Sequence, residues 1–272
     1  MHAIHKSEKM VGRQSPDFDA DQVKVVCVKD WNRLARRLDW AARRFSKVTT
    51  VAPLPVVDIR NFLPDEGVSF NYKSHLMASD VMETTLLKAL AMRKEKCRFL
   101  EVGIHFGLTT KTIAEVAQEC VALDIDSSAG EYSRDLPNVH VIYADSRKLD
   151  WFSLGKFDLI YIDGDHAYDA VRSDTANAFQ SLNENGVIVW DDYANRHGPS
   201  FGVVSWIRGD VLLGILDGCP REKRNMLYHV SNTQSAIYVG KMLPTVNYDE
   251  IELKVTVGDQ SDYLGEEGRS LP

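Results

Sequence analysis

The chain has 272 residues, 44% of them hydrophobic and 26% charged, with a net charge of −7. This composition excludes a disordered or fibrous chain, and the length suits one large α/β domain with an elaboration. No basic patch is interleaved with aromatics and no apolar run approaches the length of a membrane span, so neither nucleic acid nor membrane is an expected partner.

Residues 1–29 carry no strong periodicity, and the first of them lack the apolar core of a signal peptide, so a cytoplasmic protein is expected. Asp30 is placed to cap a helix over 31–47, with Trp31, Leu34, Leu38 and Phe45 on one face and five arginines on the other. The arginine face reads first as solvated, and otherwise as an oligomer contact or a lid. Residues 51–64 hold three prolines and read as an irregular connector. A helix is expected over 79–94, with Val81, Leu86, Leu87, Leu90 and Ala91 inward.

From Arg98 the pattern changes to strands alternating with helices. CRFLEVG, VALDID, VHVIYAD, FDLIYID and VIVWDD are five strands, the last after an Asn185–Gly186 turn, and helices are expected over 109–118, 168–182 and 201–214. MLYHV and SAIYVGK read as an antiparallel hairpin joined by a polar turn. The expected fold is α/β: a doubly wound, mostly parallel seven-stranded sheet of Rossmann-like type, with a C-terminal antiparallel hairpin and an N-terminal helical extension. The expected boundaries are 1–78 for the extension, 79–242 for the main domain and 243–272 for an acidic tail. Four cysteines, Cys27, Cys97, Cys120 and Cys219, lie far apart, and Cys97 and Cys120 read as buried thiols.

Two apolar runs end abruptly in acids: Asp163 and Asp165 in FDLIYIDGDHAY, Asp191 and Asp192 in VIVWDDY. Buried parallel strands place such ends at the carboxyl edge of the sheet, where open α/β folds bind ligands. Four acids converging there repel one another unless a cation sits among them, and a hard divalent ion such as Mg2+ suits oxygen donors. The bland alternatives are that Asp163 caps the following helix and Asp192 merely opens a loop.

The first strand runs into Glu101, Gly103, Gly107 and Thr109 in the pattern E-x-G-x-x-x-G-x-T, and the second ends in Asp124, 21 residues after Gly103. A glycine turn followed by a helix N-terminus favours close approach of an anionic group, and an acid at the second strand's end suits ribose hydroxyls. Asp145 and Ser146 end the third strand, where hydrogen bonds to an adenine edge are expected. A dinucleotide and an S-adenosyl cofactor both fit these features. The lack of a G-x-G-x-x-G pyrophosphate loop favours the second.

Through EVGIHFGLTT, VALDID and ADS the chain resembles the class I S-adenosylmethionine-dependent methyltransferases. Through IDGDHAY and WDDY it is most similar to the metal-dependent O-methyltransferases of the macrocin O-methyltransferase group, with catechol O-methyltransferase more distant. The resemblance covers about residues 80–240. It implies cofactor contacts at Glu101, Gly103, Phe106, Gly107, Thr109, Asp124, Ile125, Asp145, Ser146 and Asp163, and Mg2+ ligands at Asp163, Asp191 and Asp192. It implies Asp165 as the base that deprotonates an acceptor hydroxyl, with His166 as substrate contact or alternative base. His105 and His197 are read as bystanders, and Trp190 and Tyr193 as packing residues.

The function expected is Mg2+-dependent transfer of a methyl group from S-adenosylmethionine to a hydroxyl of a small molecule, a sugar or natural-product metabolite. Homodimers or higher homo-oligomers are compatible with the first helix. The competing readings are a metal-independent methyltransferase acting on an amine or other acceptor, a non-catalytic cofactor-binding subunit, and last a nicotinamide dehydrogenase.

Overall fold

The computed structural model describes residues 54–65, 67–70, 79, 81–194 and 209–246, and the backbone alone of 24–26, 204–208 and 253–255. The helix expected over 31–47, the loop around His197 and most of the tail lie outside these residues. The elements in chain order are β1 (Lys24–Val26), β2 (Val56–Val57), α1 (Val81–Met92), β3 (Arg98–Val102), α2 (Leu108–Ala114), β4 (Glu119–Asp124), β5 (Val139–Tyr143), β6 (Phe157–Ile162), α3 (Tyr168–Ser181), β7 (Leu182–Trp190), α4 (Val204–Gly218), β8 (Leu227–Val230), β9 (Ala236–Tyr238) and β10 (Leu253–Val255).

The main sheet has eight strands in the order β2-β8-β9-β7-β6-β3-β4-β5, and β1 pairs with β10 in a separate antiparallel ribbon. Within the main sheet only β9 runs against the others, being antiparallel to both β7 and β8. The sheet is therefore mostly parallel with an antiparallel hairpin, as the strand-helix alternation predicts. It has one strand more than the seven expected. The extra strand, β2, lies inside the proline-rich connector and pairs Val56 and Val57 with His229 and Val230. Such a pairing leaves no local trace, because its partners are distant in sequence and two residues carry no periodicity.

Alternating side chains of the parallel strands feed two cores, one on each face. Leu100, Ile160, Ile162, Ile188 and Trp190 pack with Val171, Val211 and Ile215 from α3 and α4. Phe99, Leu159, Tyr161 and Val189 pack with Leu86, Leu90 and Ile113 from α1 and α2. Trp190 also donates its indole N–H to Thr175 Oγ1 at 2.9 Å, and the Tyr193 hydroxyl accepts from Leu54 N at 2.8 Å, so both serve packing. Cys97, Cys120 and Cys219 are buried free thiols.

One feature departs from the sequence reading. The register between β6 and β7 slips between Phe157 and Leu159, so Asn185 and Gly186 lie in an irregularity of one long strand and not in a turn before it. The polar hairpin turn, Ser231 to Ser235, is buried. Its groups find partners inside: Ser231 Oγ accepts from Ile59 N at 3.0 Å, Gln234 O accepts from Ala194 N at 2.9 Å, and Ser235 Oγ donates to Glu83 Oε1 at 2.6 Å. Among the described residues no helix is long and apolar enough to cross a membrane.

Candidate active site

The chain runs from β3 outward through β4 to β5, then returns to the other side of β3 with β6. That reversal is the switch point at which open α/β sheets leave a crevice beyond their carboxyl ends. A cavity of about 660 Å3 lies there, lined by the ends of β3, β4, β5 and β6 and by Ala170 of α3. Gly103 shapes it. At φ +83° it turns the chain out of β3, and a Cβ at this position would drive into the Asp163 carbonyl oxygen, with Gly164 Cα 2.7 Å away. The glycine is therefore needed for close packing of one strand end on another, in addition to any approach to a ligand.

Seven of the ten expected cofactor contacts line the cavity: Gly103, Phe106, Asp124, Ile125, Asp145, Ser146 and Asp163. Asp124 is fixed by the loop it faces, its Oδ2 accepting from Ile104 N at 2.9 Å and His105 N at 3.1 Å, its Oδ1 from Asp126 N at 2.9 Å. Ile125 is 74% exposed, an apolar wall of the kind a flat ring covers. The Arg147 guanidinium beside Asp145 holds that carboxyl well below the usual range. His105, read from sequence as a bystander, is in the cavity wall. Its left-handed backbone, φ 45°, aims its N–H at Asp124, a conformation that sequence spacing does not reveal.

Glu101, Gly107 and Thr109 do not line the cavity. Gly107 opens α2 at φ +83°. Thr109 Oγ1 lies 3.2 Å from Ser79 Oγ, and Ser79 in turn lies 3.0 Å from the Tyr161 hydroxyl. Glu101 is 2% exposed and accepts from the Thr110 hydroxyl. Burial pushes its carboxyl from 4.5 up to about 8. Below pH 4.5 the group is protonated whether or not the chain is folded; between 4.5 and about 8 only the folded chain keeps the proton. Glu101 therefore lowers stability as pH rises through that window, by up to about 1.4 kcal/mol per pH unit. Urea denaturation at several pH values should give Glu101→Gln a flatter profile than wild type, and identical slopes would show that the side chain titrates normally.

The acids lie at the next two strand ends. β6 and β7 are parallel neighbours with Ile162 opposite Trp190, so the residues that follow, Asp163 and Asp191, emerge side by side. Backbone bonds hold both: Asp163 N donates to Val102 O at 2.8 Å and Asp191 N to Ile162 O at 3.0 Å. His166 comes back from the start of α3, placing Nε2 3.9 Å from Asp163 Oδ1 and 3.5 Å from Asp192 Oδ2. Asp163, His166 and Asp191 each offer a ligand atom within 4.8 Å of the others. Asp192 adopts φ 55°, and its carboxylate lies against His166. Asp165 is turned elsewhere: its Oδ1 accepts from Ala167 N at 2.9 Å ahead of α3, and the residue lines the cavity.

Burial and neighbouring carboxylates raise both Asp163 and Asp191 well above the ordinary range. Asp191 Oδ1 is buried and has no hydrogen-bond partner. An acceptor left bare inside a protein costs about 1–3 kcal/mol, more when charged. A hard cation is the partner that would satisfy it, and the Asp163, Asp191, Asp192 and His166 set fits one. Sequence reasoning missed a further acid, Glu83. It is 0% exposed on α1 and in contact with Asp191. The only trace of it in the sequence is one carboxylate inside the otherwise uncharged run VMETTLL.

Residues 100–193 match the family model described as a methyltransferase domain. No curated protein matches the chain. Among solved structures, the SAH-bound Podospora anserina methyltransferase PaMTH1 is 16% identical with a TM-score of 0.50, over 77% of this chain and 96% of that one. The MycE methyltransferase of the mycinamycin biosynthetic pathway, solved with Mg, SAH and mycinamycin VI, is 22% identical with a TM-score of 0.41, over 55% of this chain and 46% of that one. The chain thus spans about half the length of MycE. The N-methyltransferase NodS from Bradyrhizobium japonicum is 15% identical with a TM-score of 0.39, over 57% and 92%. Residues 100–193 are thus similar to a methyltransferase domain, and the sheet they lie in is of the Rossmann-like type that PaMTH1 shares.

Proposed function

We propose that the protein is a Mg2+-dependent O-methyltransferase that moves a methyl group from S-adenosylmethionine to a hydroxyl of a small sugar or natural-product metabolite. The observation that carries this reading is the bare, buried Asp191 Oδ1 among acids that adjoin the cavity through Asp163. In this reading Asp124 accepts the ribose hydroxyls, Asp145 and Ser146 meet the adenine edge, and Ile125 and Phe106 cover its faces. The sulfonium then points toward Asp163. Mg2+ held by Asp163, Asp191 and Asp192 would lower the pKa of an acceptor hydroxyl.

The displacement needs oxygen, methyl carbon and sulfur in line, which the adjoining strand ends of β3, β6 and β7 support by holding both partners rigidly. His166 Nε2, standing 3.5 Å from Asp192 Oδ2 among the acids, is placed to take the hydroxyl proton. Asp165 is the alternative base; its carboxylate is occupied by Ala167 N–H at the cavity wall.

The test is transfer of labelled methyl from S-adenosylmethionine to a panel of hydroxylated glycosides and phenols, with Mg2+ or with EDTA. Transfer to oxygen that EDTA abolishes is expected. His166→Gln should lower kcat by about 10²–10⁴-fold while cofactor affinity is kept. Transfer that EDTA leaves unchanged would overturn the reading in favour of a metal-independent enzyme.

A further inference from the structure

Burial and then the charges of Glu83, Glu101 and Asp192 push the Asp163 carboxyl up, and burial with Asp163 and Asp192 pushes up Asp191, which Glu83 meets by a side-chain hydrogen bond. Glu83 is fully buried in the first turn of α1, a place where a helix dipole partly favours negative charge. It touches Asp191 on one side, and on the other accepts a 2.6 Å hydrogen bond from Ser235 Oγ in the buried hairpin turn. The register places that turn beside the acids, since Trp190 pairs with Ala236 and Asp191 and Ser235 come next at the same end. Asp191 is itself only 7% exposed, with Oδ1 bare. Burying three carboxyl groups in contact, one with an unmet oxygen, is costly unless the cluster receives a cation.

We infer that Glu83 is a positioning residue of the divalent-cation site, holding Asp191 from behind by a side-chain hydrogen bond, with Ser235 fixing its own orientation. The inference rests on the metal-dependent reading above and deepens it. Glu83 Oε1 is taken by the Ser235 hydroxyl while the side chain touches Asp191, so it acts through Asp191 and not as a ligand. It also lies outside the segment that matches the methyltransferase domain, which makes α1 and the β8–β9 hairpin part of the site.

The test uses Mn2+ as probe, followed by electron paramagnetic resonance and calorimetry on wild type, Glu83→Gln and Ser235→Ala. Glutamine keeps the oxygen that accepts from Ser235 and removes the charge. Mn2+ affinity should fall about 10–100-fold in Glu83→Gln, the range for groups that orient metal ligands. S-adenosylhomocysteine affinity should stay unchanged, and the Tm without metal should not fall, because like-charge repulsion is relieved. A lower Tm with unchanged Mn2+ affinity would mark a merely structural role and overturn the inference. Should Glu83→Gln fail to fold, Ser235→Ala decides: weaker Mn2+ binding supports the inference and wild-type binding overturns it. If wild type itself binds no Mn2+, the metal-dependent reading falls and the role of Glu83 falls with it. If wild type binds and both variants bind equally well, only the Glu83 inference is lost.

Discussion

Asp191→Asn should abolish divalent-cation binding while leaving the fold intact. Asparagine matches aspartate in shape, and Asp191 is buried against Asp163 and Glu83, so removing its charge relieves repulsion and should raise the Tm of the metal-free protein. The same change removes a carboxylate whose buried oxygen lacks a partner. A metal ion contributes several kcal/mol to stabilising transition-state charge, so turnover should fall on the order of 10³-fold. Calorimetric titration with Mg2+ and a single-turnover assay check this. Cation binding retained at wild-type strength would mean that the acids are structural.

Gly103→Ala should have the largest effect on the fold and the site together. A non-glycine residue at φ +83° is strained, by about 1–3 kcal/mol. The added methyl also meets backbone atoms of Asp163 and Gly164, which cannot swing aside as a side-chain tip can. Overpacking of this kind adds about 1–3 kcal/mol. The loop can relieve the clash only by withdrawing β3 from β6, which moves Asp163 relative to both the cavity and Asp191. Urea denaturation should show a loss of about 2–6 kcal/mol. Cofactor affinity should fall even under conditions where the variant stays folded. A variant within about 0.5 kcal/mol of wild type, the range of ordinary surface changes, would show that the strand ends have slack.

The parallel sheet was readable because its strands are short apolar runs separated by helical periods, a local signal. Its acidic ends were readable for the same reason, since Asp163 and Asp191 each terminate such a run, and parallel register does the rest by placing Ile162 opposite Trp190. What sequence did not disclose depends on distant partners. β2 exists because Val57 O accepts from Ser231 N at 2.9 Å, a bond between residues far apart in the chain. The polar turn Ser231 to Ser235 is buried with polar partners on neighbouring elements, Glu83 of α1 among them.

The site divides along the same line. Residue types and spacing pointed to Asp124, Asp145 and the strand-end acids, and these do converge on one cavity and its margin. Side-chain direction was not legible. Asp165 and His166 are adjacent in sequence, yet one accepts a backbone N–H at the head of α3 and the other reaches the acids. Glu83 was hidden because a single carboxylate in an apolar helix has no spacing pattern, and its meaning appears only when α1 packs over the ends of β6 and β7.

We propose that the cavity at the β3–β6 switch point holds S-adenosylmethionine. Isothermal titration of S-adenosylmethionine into the folded protein tests it most directly, with Asp124→Ala alongside. One-to-one micromolar binding, weakened at least about tenfold by loss of the Asp124 carboxylate, is the expected result. A folded protein that takes up no S-adenosylmethionine at millimolar concentration would contradict it.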